Sequence, residues 1–138
     1  MYKVLIVNDK QFVRRGLAAC VDWAACGCEQ PELADSGEAA MEQIRRIQPD
    51  IVISDINMSS MSGLELVEQI NVQYPYIRSI LITGIYDFNS VYHAIKFDVI
   101  DLILKPTSPS RVRQSLSKAI QHILKSYLFI KSYYKNRQ

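Results

Sequence analysis

Little in these 138 residues points to a membrane or an oxidising compartment. The N-terminus has no long apolar run. Val4 to Val7 makes four residues before Asn8 interrupts them, too short for a secretory leader or a span. Cysteine is scarce and odd in number, at Cys20, Cys26 and Cys28, and no second cysteine or histidine pair stands at zinc spacing. Free thiols are therefore a simpler reading of Cys26-Gly27-Cys28 than a metal clip. A dominant charge is lacking as well: 16 Lys and Arg against 14 Asp and Glu leave +2, too little by itself to argue for nucleic acid or a membrane surface. No low-complexity stretch or internal linker divides the chain, and the expected location is the cytoplasm.

What is present is one domain's worth of chain, with 49% hydrophobic and 22% charged residues, enough to bury a proper core. Apolar β-branched runs alternate with segments of helical period. "YKVLIV" precedes "QFVRRGLAACVDW", in which Phe12 or Val13, Gly16 or Leu17, and Cys20 recur at helical spacing. "QPELADS" carries Pro31 and suits only an edge strand. Ser36 or Asp35 can cap "GEAAMEQIRRI", where Ala40, Met41, Ile44 and Ile47 form a stripe that Pro49 ends. "DIVIS" is a third strand, and Ser62 with Glu65 suggests a capping box for "GLELVEQINVQY". "RSILIT", "DFNSVYHAIKF" and "VIDLIL" supply strand, helix and strand, and everything after Pro109 reads helical. Five strand-helix units with apolar strands predict a parallel sheet covered on both faces, a doubly wound α/β domain.

One strand raises a question of chemistry. Ile51-Val52-Ile53 is apolar enough to be buried, yet the run stops at Asp55. Desolvating an ionised carboxylate is costly, so the expectation is that Asp55 sits at the surface where the strand exits. Ligands of open parallel sheets collect at the carboxyl ends of the strands. The polar residues there are Asn8 and Asp9, Asp55, Thr83 and Lys105. Two carboxylates, a hydroxyl and an ammonium suit phosphoryl transfer to a carboxylate, with a divalent cation on hard oxygen ligands. Taken singly, each also has a plain structural reading as a helix cap, a strand end or a solvated turn.

Over about its first 120 residues the sequence resembles the response-regulator receiver family. The matching pieces are "VLIVND", "PDIVISDINM" followed by "SGLEL", "ILITG" and "DLILKP", in the family's order and spacing. "ITGIYDFNSVYHAIK" looks most like receivers joined to a helix-turn-helix DNA-binding domain of the arabinose-regulator type. The resemblance implies a flavodoxin-like (βα)5 fold, strand order 2-1-3-4-5, with an extended C-terminal helix. It implies Asp55 as phosphoacceptor, Thr83 as hydroxyl donor and Lys105 as the cation on the phosphoryl group. Mg²⁺, for which Mn²⁺ can substitute, would be held by Asp9, Asp55 and the backbone carbonyl of Asn57, with Asn8 a weak ligand through water. Pro106 completes a lysine-proline pair whose peptide bond is often cis. The implied partners are a sensor histidine kinase and a second copy, through the face of the fourth helix, fifth strand and fifth helix or through the C-terminal helix. No direct nucleic-acid contact by this domain and no membrane are expected. Such a domain is a switch more than an enzyme, although it assists its own phosphorylation and dephosphorylation.

Departures from the family stand at the same edge. Asn8, Asp9 and Lys10 replace a run of acids, so one carboxylate has become an amide and a neighbour has become cationic. Two unit charges about 5 Å apart at an effective dielectric near 20 interact by roughly 3 kcal/mol, less in an open site, so the cation should bind more weakly. Ser59 replaces a proline, which is expected to loosen the loop beside the phosphoacceptor, and Leu102 stands where the family places its switch aromatic; Tyr86 is a candidate substitute. A degenerate receiver that is never phosphorylated and serves as an interaction or dimerisation module is the alternative. A flavin site is disfavoured because "NDKQF" has no glycine or hydroxyl run to cradle a phosphate, and a dehalogenase-type phosphatase lacks its second acid because position 57 is asparagine. The expected organisation is a receiver over 1–124 and a helical linker over 125–138, leading toward an effector domain absent from this sequence. Leu116, Ile120, Ile123, Tyr127, Ile130 and Tyr134 keep alternating spacings of four and three along that helix.

Overall fold

The computed structural model describes residues 1–137. In chain order the elements are β1 (Val4–Val7), α1 (Gln11–Cys20), β2 (Glu32–Ala34), α2 (Gly37–Ile47), β3 (Ile51–Asp55), α3 (Gly63–Gln73), β4 (Arg78–Thr83), α4 (Phe88–Lys96), β5 (Asp101–Leu104) and α5 (Pro109–Asn136). The five strands form one parallel sheet in the order β2-β1-β3-β4-β5, the flavodoxin-like topology expected. β2, the strand next to Pro31, is three residues long and lies at the edge.

The period of two along each strand divides the core. Val4, Ile6, Ile51, Ile53, Ile80, Ile82 and Ile103 meet Val112, Leu116 and Ala119 of α5 on one face. Leu5, Val7 and Val52 meet Ala40 and Ile44 of α2 and Leu66 and Ile70 of α3 on the other. Side chains of successive strand residues point to opposite faces, so uninterrupted apolar runs can exist only where both faces are covered. Ser36 caps α2 by accepting from the Ala39 amide at 3.0 Å, and Ser62 caps α3 by accepting from the Glu65 amide at 3.1 Å. Gln48 takes a left-handed conformation (φ 50°) to leave α2 before Pro49.

Helix α1 packs differently from its sequence pattern. Of the residues at helical spacing, Phe12, Val13, Gly16 and Cys20 are exposed, Phe12 by 91%, whereas Leu17, the alternative to Gly16, packs partly on the core and Ala18 is the buried residue of the helix. The helix also ends at Cys20 rather than at Trp23, because Val21 is extended (φ −105°, ψ 140°). That turn brings Trp23 inward, where it is 2% exposed and donates its indole N–H to the Ala18 carbonyl at 2.8 Å. The indole thus joins the core cluster from beyond the helix end.

The cysteines are free thiols. Burial, with smaller contributions from Cys26 and Asp50, pushes the Cys28 thiol up to about 11, so it stays protonated and is no ready metal ligand. Among the described residues no group of three or more His, Cys, Asp or Glu side chains could hold a metal ion, and no helix is long and apolar enough to cross a membrane.

A polar clamp joins β5 to α5. The Asp101 carboxylate accepts from Arg111 Nη1 at 2.7 Å and Nη2 at 3.1 Å, from Ser115 Oγ at 2.7 Å and from Lys118 Nζ at 3.2 Å. Burial pushes this carboxyl up, but hydrogen bonds from Arg111, Ser115 and Lys118 and the guanidinium charge outweigh it and hold the group well below the usual carboxylate range. A depressed folded-state value means that stability is present above the unfolded value, near 4, and is lost as pH falls through the folded one. Asp101→Asn is expected to lower stability by about 1–3 kcal/mol at neutral pH. The gap from wild type should narrow below about pH 4, which urea denaturation at pH 7 and pH 3 will measure.

Candidate functional site

The parallel register brings the strand ends together. Val7 of β1 lies beside Ser54 of β3, Asp55 beside Ile82 of β4, and Thr83 beside Leu104 of β5. Residues that leave these strands, Asn8, Asp9, Asp55, Thr83 and Lys105, therefore share one edge. Lys105 follows a strand two places from β3, and its long side chain crosses that distance: Nζ stands 2.6 Å from Asp55 Oδ2. The Lys105 amide donates to the Thr83 carbonyl at 2.7 Å, and the Lys105–Pro106 peptide is cis.

Asp55 is 4% exposed, contrary to the expectation that it would sit at the surface. Its charge is tolerated because both oxygens have partners. Oδ2 receives Lys105 Nζ and, at 3.2 Å, Asn8 Nδ2; Oδ1 receives the Asn57 amide at 3.3 Å. A carboxylate that is paired and hydrogen-bonded can remain charged in a nearly dry site. The same residue packs against α3 from behind. A Cβ added to Gly63 would lie 2.2 Å from the Asp55 carbonyl oxygen, so only glycine lets α3 start this close to the end of β3.

Asp9 is arranged differently. Its Oδ2 accepts the Ser59 amide at 3.0 Å, whereas its Oδ1 is buried without any hydrogen-bond partner. Proline at position 59 could not donate this bond, so the serine, expected to loosen the loop after β3, instead ties it to the loop after β1. Asn8 is held on three sides: its side-chain oxygen accepts from the Lys10 amide at 2.8 Å, its backbone carbonyl accepts from Arg14 Nη1 at 2.7 Å, and its amide group faces Asp55. The Lys10 residue itself is exposed. Arg14 and Ser59 were not singled out as site residues in the sequence. Arg14 reaches back six positions from the first turn and a half of α1, and the Ser59 contact spans fifty positions, so neither leaves a local pattern.

Thr83 is 1% exposed and makes no hydrogen bond to Asp55. Its hydroxyl donates to the Ile85 carbonyl at 2.9 Å and lies 3.4 Å from the Ile85 amide. One residue on, the Tyr86 hydroxyl donates to the Leu102 carbonyl at 2.9 Å, which links the loop after β4 to β5. Leu102, aliphatic where an aromatic was expected for a receiver, packs against Ile56, Val67 and Leu81. An open cleft of about 550 Å³ borders Asn8, Asp55 and Lys105 and continues past Phe12, Val13 and Pro106. A phosphoryl donor can approach the carboxylate from that side.

The donor set fits a hard divalent cation. Asp9 and Asp55 bring two carboxylates to this edge, and the unpartnered buried Asp9 Oδ1 is an oxygen whose satisfaction calls for a ligand. Asn8 contributes no negative charge, so the set is short of one carboxylate.

Comparison with known proteins agrees with this fold. The family model of the response regulator receiver domain matches residues 4–117. The chain is 32% identical over 123 residues to the transcriptional regulatory protein YesN of Bacillus subtilis, covering 89% of this chain and 33% of that protein. It is 35% identical over 116 residues to the chemotaxis protein CheY of Thermotoga maritima, covering 84% of this chain and 95% of that one. Among solved structures, a two-component transcriptional regulator AraC from Clostridium phytofermentans superposes with a TM-score of 0.83 at 34% identity, covering 91% of this chain and 97% of that chain. The chain spans a third to about half the length of several transcriptional and response regulators it matches.

Proposed function

The chain belongs to the response regulator receiver family of two-component systems, and from that premise we propose that it is a phosphorylation-activated switch, not an enzyme, whose phosphoacceptor is Asp55. The observation that carries this reading is the buried Asp55 carboxylate with Lys105 Nζ at 2.6 Å, next to the strand that ends in Thr83. A phosphohistidine on a sensor kinase would enter the open cleft. An Asp55 oxygen attacks phosphorus, an O–P bond forms, the N–P bond breaks, and the imidazole leaves with the electron pair. Lys105 holds one phosphoryl oxygen and the Thr83 hydroxyl turns from Ile85 to donate to another. Later attack by water on phosphorus restores the carboxylate and releases inorganic phosphate. Asp9, Asp55 and the Asn57 carbonyl would hold Mg²⁺, or Mn²⁺ in its place, with Asn8 acting through water. The cation supplies neutralisation of phosphoryl charge.

Turning Thr83 frees the Ile85 carbonyl, and the loop carrying Tyr86 loses an anchor. The Tyr86 to Leu102 hydrogen bond passes that change to β5 and thence to the α4–β5–α5 face. That face presents Phe88 and Tyr92, stacked with ring centroids 6.0 Å apart, and the exposed side chains of Ile95 and Leu104. We read it as the output surface for self-association or for a downstream effector domain, with residues 125–138 as the linker, acting in the cytoplasm. DNA binding would belong to the full-length protein's effector, of the arabinose-regulator type.

Beryllium fluoride with Mg²⁺ mimics a phosphoryl group on a carboxylate. Titration with it is expected to shift backbone amide signals of residues 83–87 and of α4. Unchanged spectra at saturating beryllium fluoride and Mg²⁺ would sink the reading and leave an unphosphorylated interaction module.

Asn8 gives a second test. Asn8→Asp exchanges the donor to Asp55 for a like charge, so the metal-free protein is expected to lose about 1–3 kcal/mol of stability. The same change adds a ligand and should tighten Mg²⁺ about tenfold, or about 1.4 kcal/mol. Calorimetric titration and thermal denaturation with and without Mg²⁺ check both signs; equal Mg²⁺ affinity in the two proteins would place the cation elsewhere.

A further inference from the structure

Charge is divided along this chain. All 14 acidic residues stand at or before Asp101, with eight Lys and Arg among them, a net charge of −6. The other eight Lys and Arg follow Asp101 without a single acid, a net charge of +8, and six of them are on α5. Lys105 is answered by Asp55, and Arg111 and Lys118 by Asp101. Arg113, Lys125, Lys131 and Lys135 remain, all exposed and, among the described residues, none paired with a carboxylate. A solvated helix gains from opposite charges three or four residues apart, whereas Lys131 and Lys135 are like charges one turn apart. Such asymmetry between two parts of a chain marks a basic surface with a polyanionic partner.

The phase of the helix collects these cations. At about 100° per residue, Val112, Ser115, Leu116 and Ala119, the buried residues of α5, share one side of it. Arg113, Lys125, Lys131 and Lys135 fall on the opposite side, within an arc of about 120°. Gln114, Ser117, Gln121 and Ser132 stand among them, side chains that also donate to phosphate oxygens. From Arg113 to Lys135 the row is about 33 Å long at 1.5 Å per residue, close to one turn of B-form DNA. The body lies behind the row, so a rod-shaped partner has access to its whole length.

We propose that this outer face of α5 holds the phosphate backbone of duplex DNA without reading base sequence. Each lysine or arginine that meets a phosphate releases condensed counterions, which supplies affinity that falls steeply with salt. An anionic lipid surface fits this face less well. The large apolar side chains it would take up, Ile130, Tyr133 and Tyr134, stand on the same side of the helix axis as the buried residues, so a flat surface reaching them would collide with the body. The cationic face itself offers lipid only Leu124 and Leu128. The contact goes beyond the proposed switch and does not depend on a phosphoryl group on Asp55, so failure of beryllium fluoride to bind would leave it standing.

Fluorescence anisotropy of a labelled duplex of about 20 base pairs and arbitrary sequence, titrated with the full 138-residue protein, tests it. With four phosphate contacts, raising salt from about 50 to about 150 mM is expected to weaken binding roughly fiftyfold. Lys125→Gln, Lys131→Gln and Lys135→Gln together leave one contact, so binding should weaken and the same step in salt should cost only about threefold. These lysines are exposed, so the variant should fold, and its circular dichroism controls for that. The charge-matched variant Lys3→Gln, Arg45→Gln and Arg46→Gln, at exposed cations outside α5, is expected to bind like wild type. The proposal is overturned if the wild type does not bind the duplex at about 50 mM salt, or if the α5 variant keeps the wild-type salt dependence. It is equally overturned if both variants weaken binding alike, which would make net charge the cause. Binding to phosphatidylserine vesicles without binding to the duplex would overturn it too and give the face to a membrane.

Discussion

Asp55→Asn is expected to take up no phosphoryl group from a small-molecule donor with Mg²⁺, while the wild type takes up one that resists acid and is lost in base. The effect is all or none because the site offers no second nucleophile in equivalent surroundings. Asp55 is the carboxylate touched by Lys105 at 2.6 Å, and Asp9, the other acid at this edge, has its Oδ2 tied to the Ser59 amide. An acyl phosphate needs a carboxylate oxygen able to attack phosphorus, and the carboxamide of asparagine is a poor nucleophile. The substitution removes a charge opposite Lys105, so a drop in stability accompanies it. Intact-mass spectrometry separates the two effects: a folded variant carrying the same adduct as wild type would show that phosphoryl transfer goes elsewhere. Lys105→Ala is a useful companion, since it spares the nucleophile but removes the cation expected on the phosphoryl group.

Gly63→Ala should be among the most damaging single-methyl changes in the domain. The added Cβ would meet the Asp55 carbonyl oxygen at 2.2 Å and the Ile56 Cα at 2.9 Å, both backbone atoms of the strand end that carries the site. Flexible side chains can yield to an overlap of that size, whereas a paired strand cannot. Asp55 is held by its register with Ile82, and the Gly63 amide itself donates to the Ile56 carbonyl at 2.8 Å. Overpacking against backbone costs about 3 kcal/mol, enough to lower the melting temperature by roughly 10 °C in a domain of this size. Displacing the end of β3 also moves Asp55 relative to Lys105, so phosphoryl uptake by whatever folds should fall. Gly84→Ala is the control, because a Cβ there has no heavy atom within 4 Å. Thermal denaturation of both variants decides: equal melting temperatures would mean that the start of α3 can move away at little cost.

Both experiments concern a site that was legible in part. Uninterrupted apolar runs such as Val4–Val7 and Ile51–Ile53 report strands buried on both faces, because no other element of that length needs apolar residues at every position. Ser36, Ser62 and Pro49 mark helix boundaries through short-range hydrogen bonds and steric clashes that act within a few residues. The order of the segments around Asp9, Asp55, Thr83 and Lys105 carried the resemblance to the family. All of these are properties of neighbouring residues or of order along the chain, and sequence alone settles them.

Packing between distant segments decided the rest. The period along α1 is helical, but which side faces the sheet depends on Trp23, whose indole fills the core from beyond the helix end. Asp55 could be buried only because Lys105, fifty positions away, and Asn8, forty-seven away, arrive at the same oxygen. The bond from Ser59 to Asp9, the reach of Tyr86 to the Leu102 carbonyl and the clamp on Asp101 likewise join loops and strands that touch only after the sheet has formed. A carboxylate's environment is set by whatever groups lie within a few ångströms, and the chain reveals which those are only when its distant parts have been brought together.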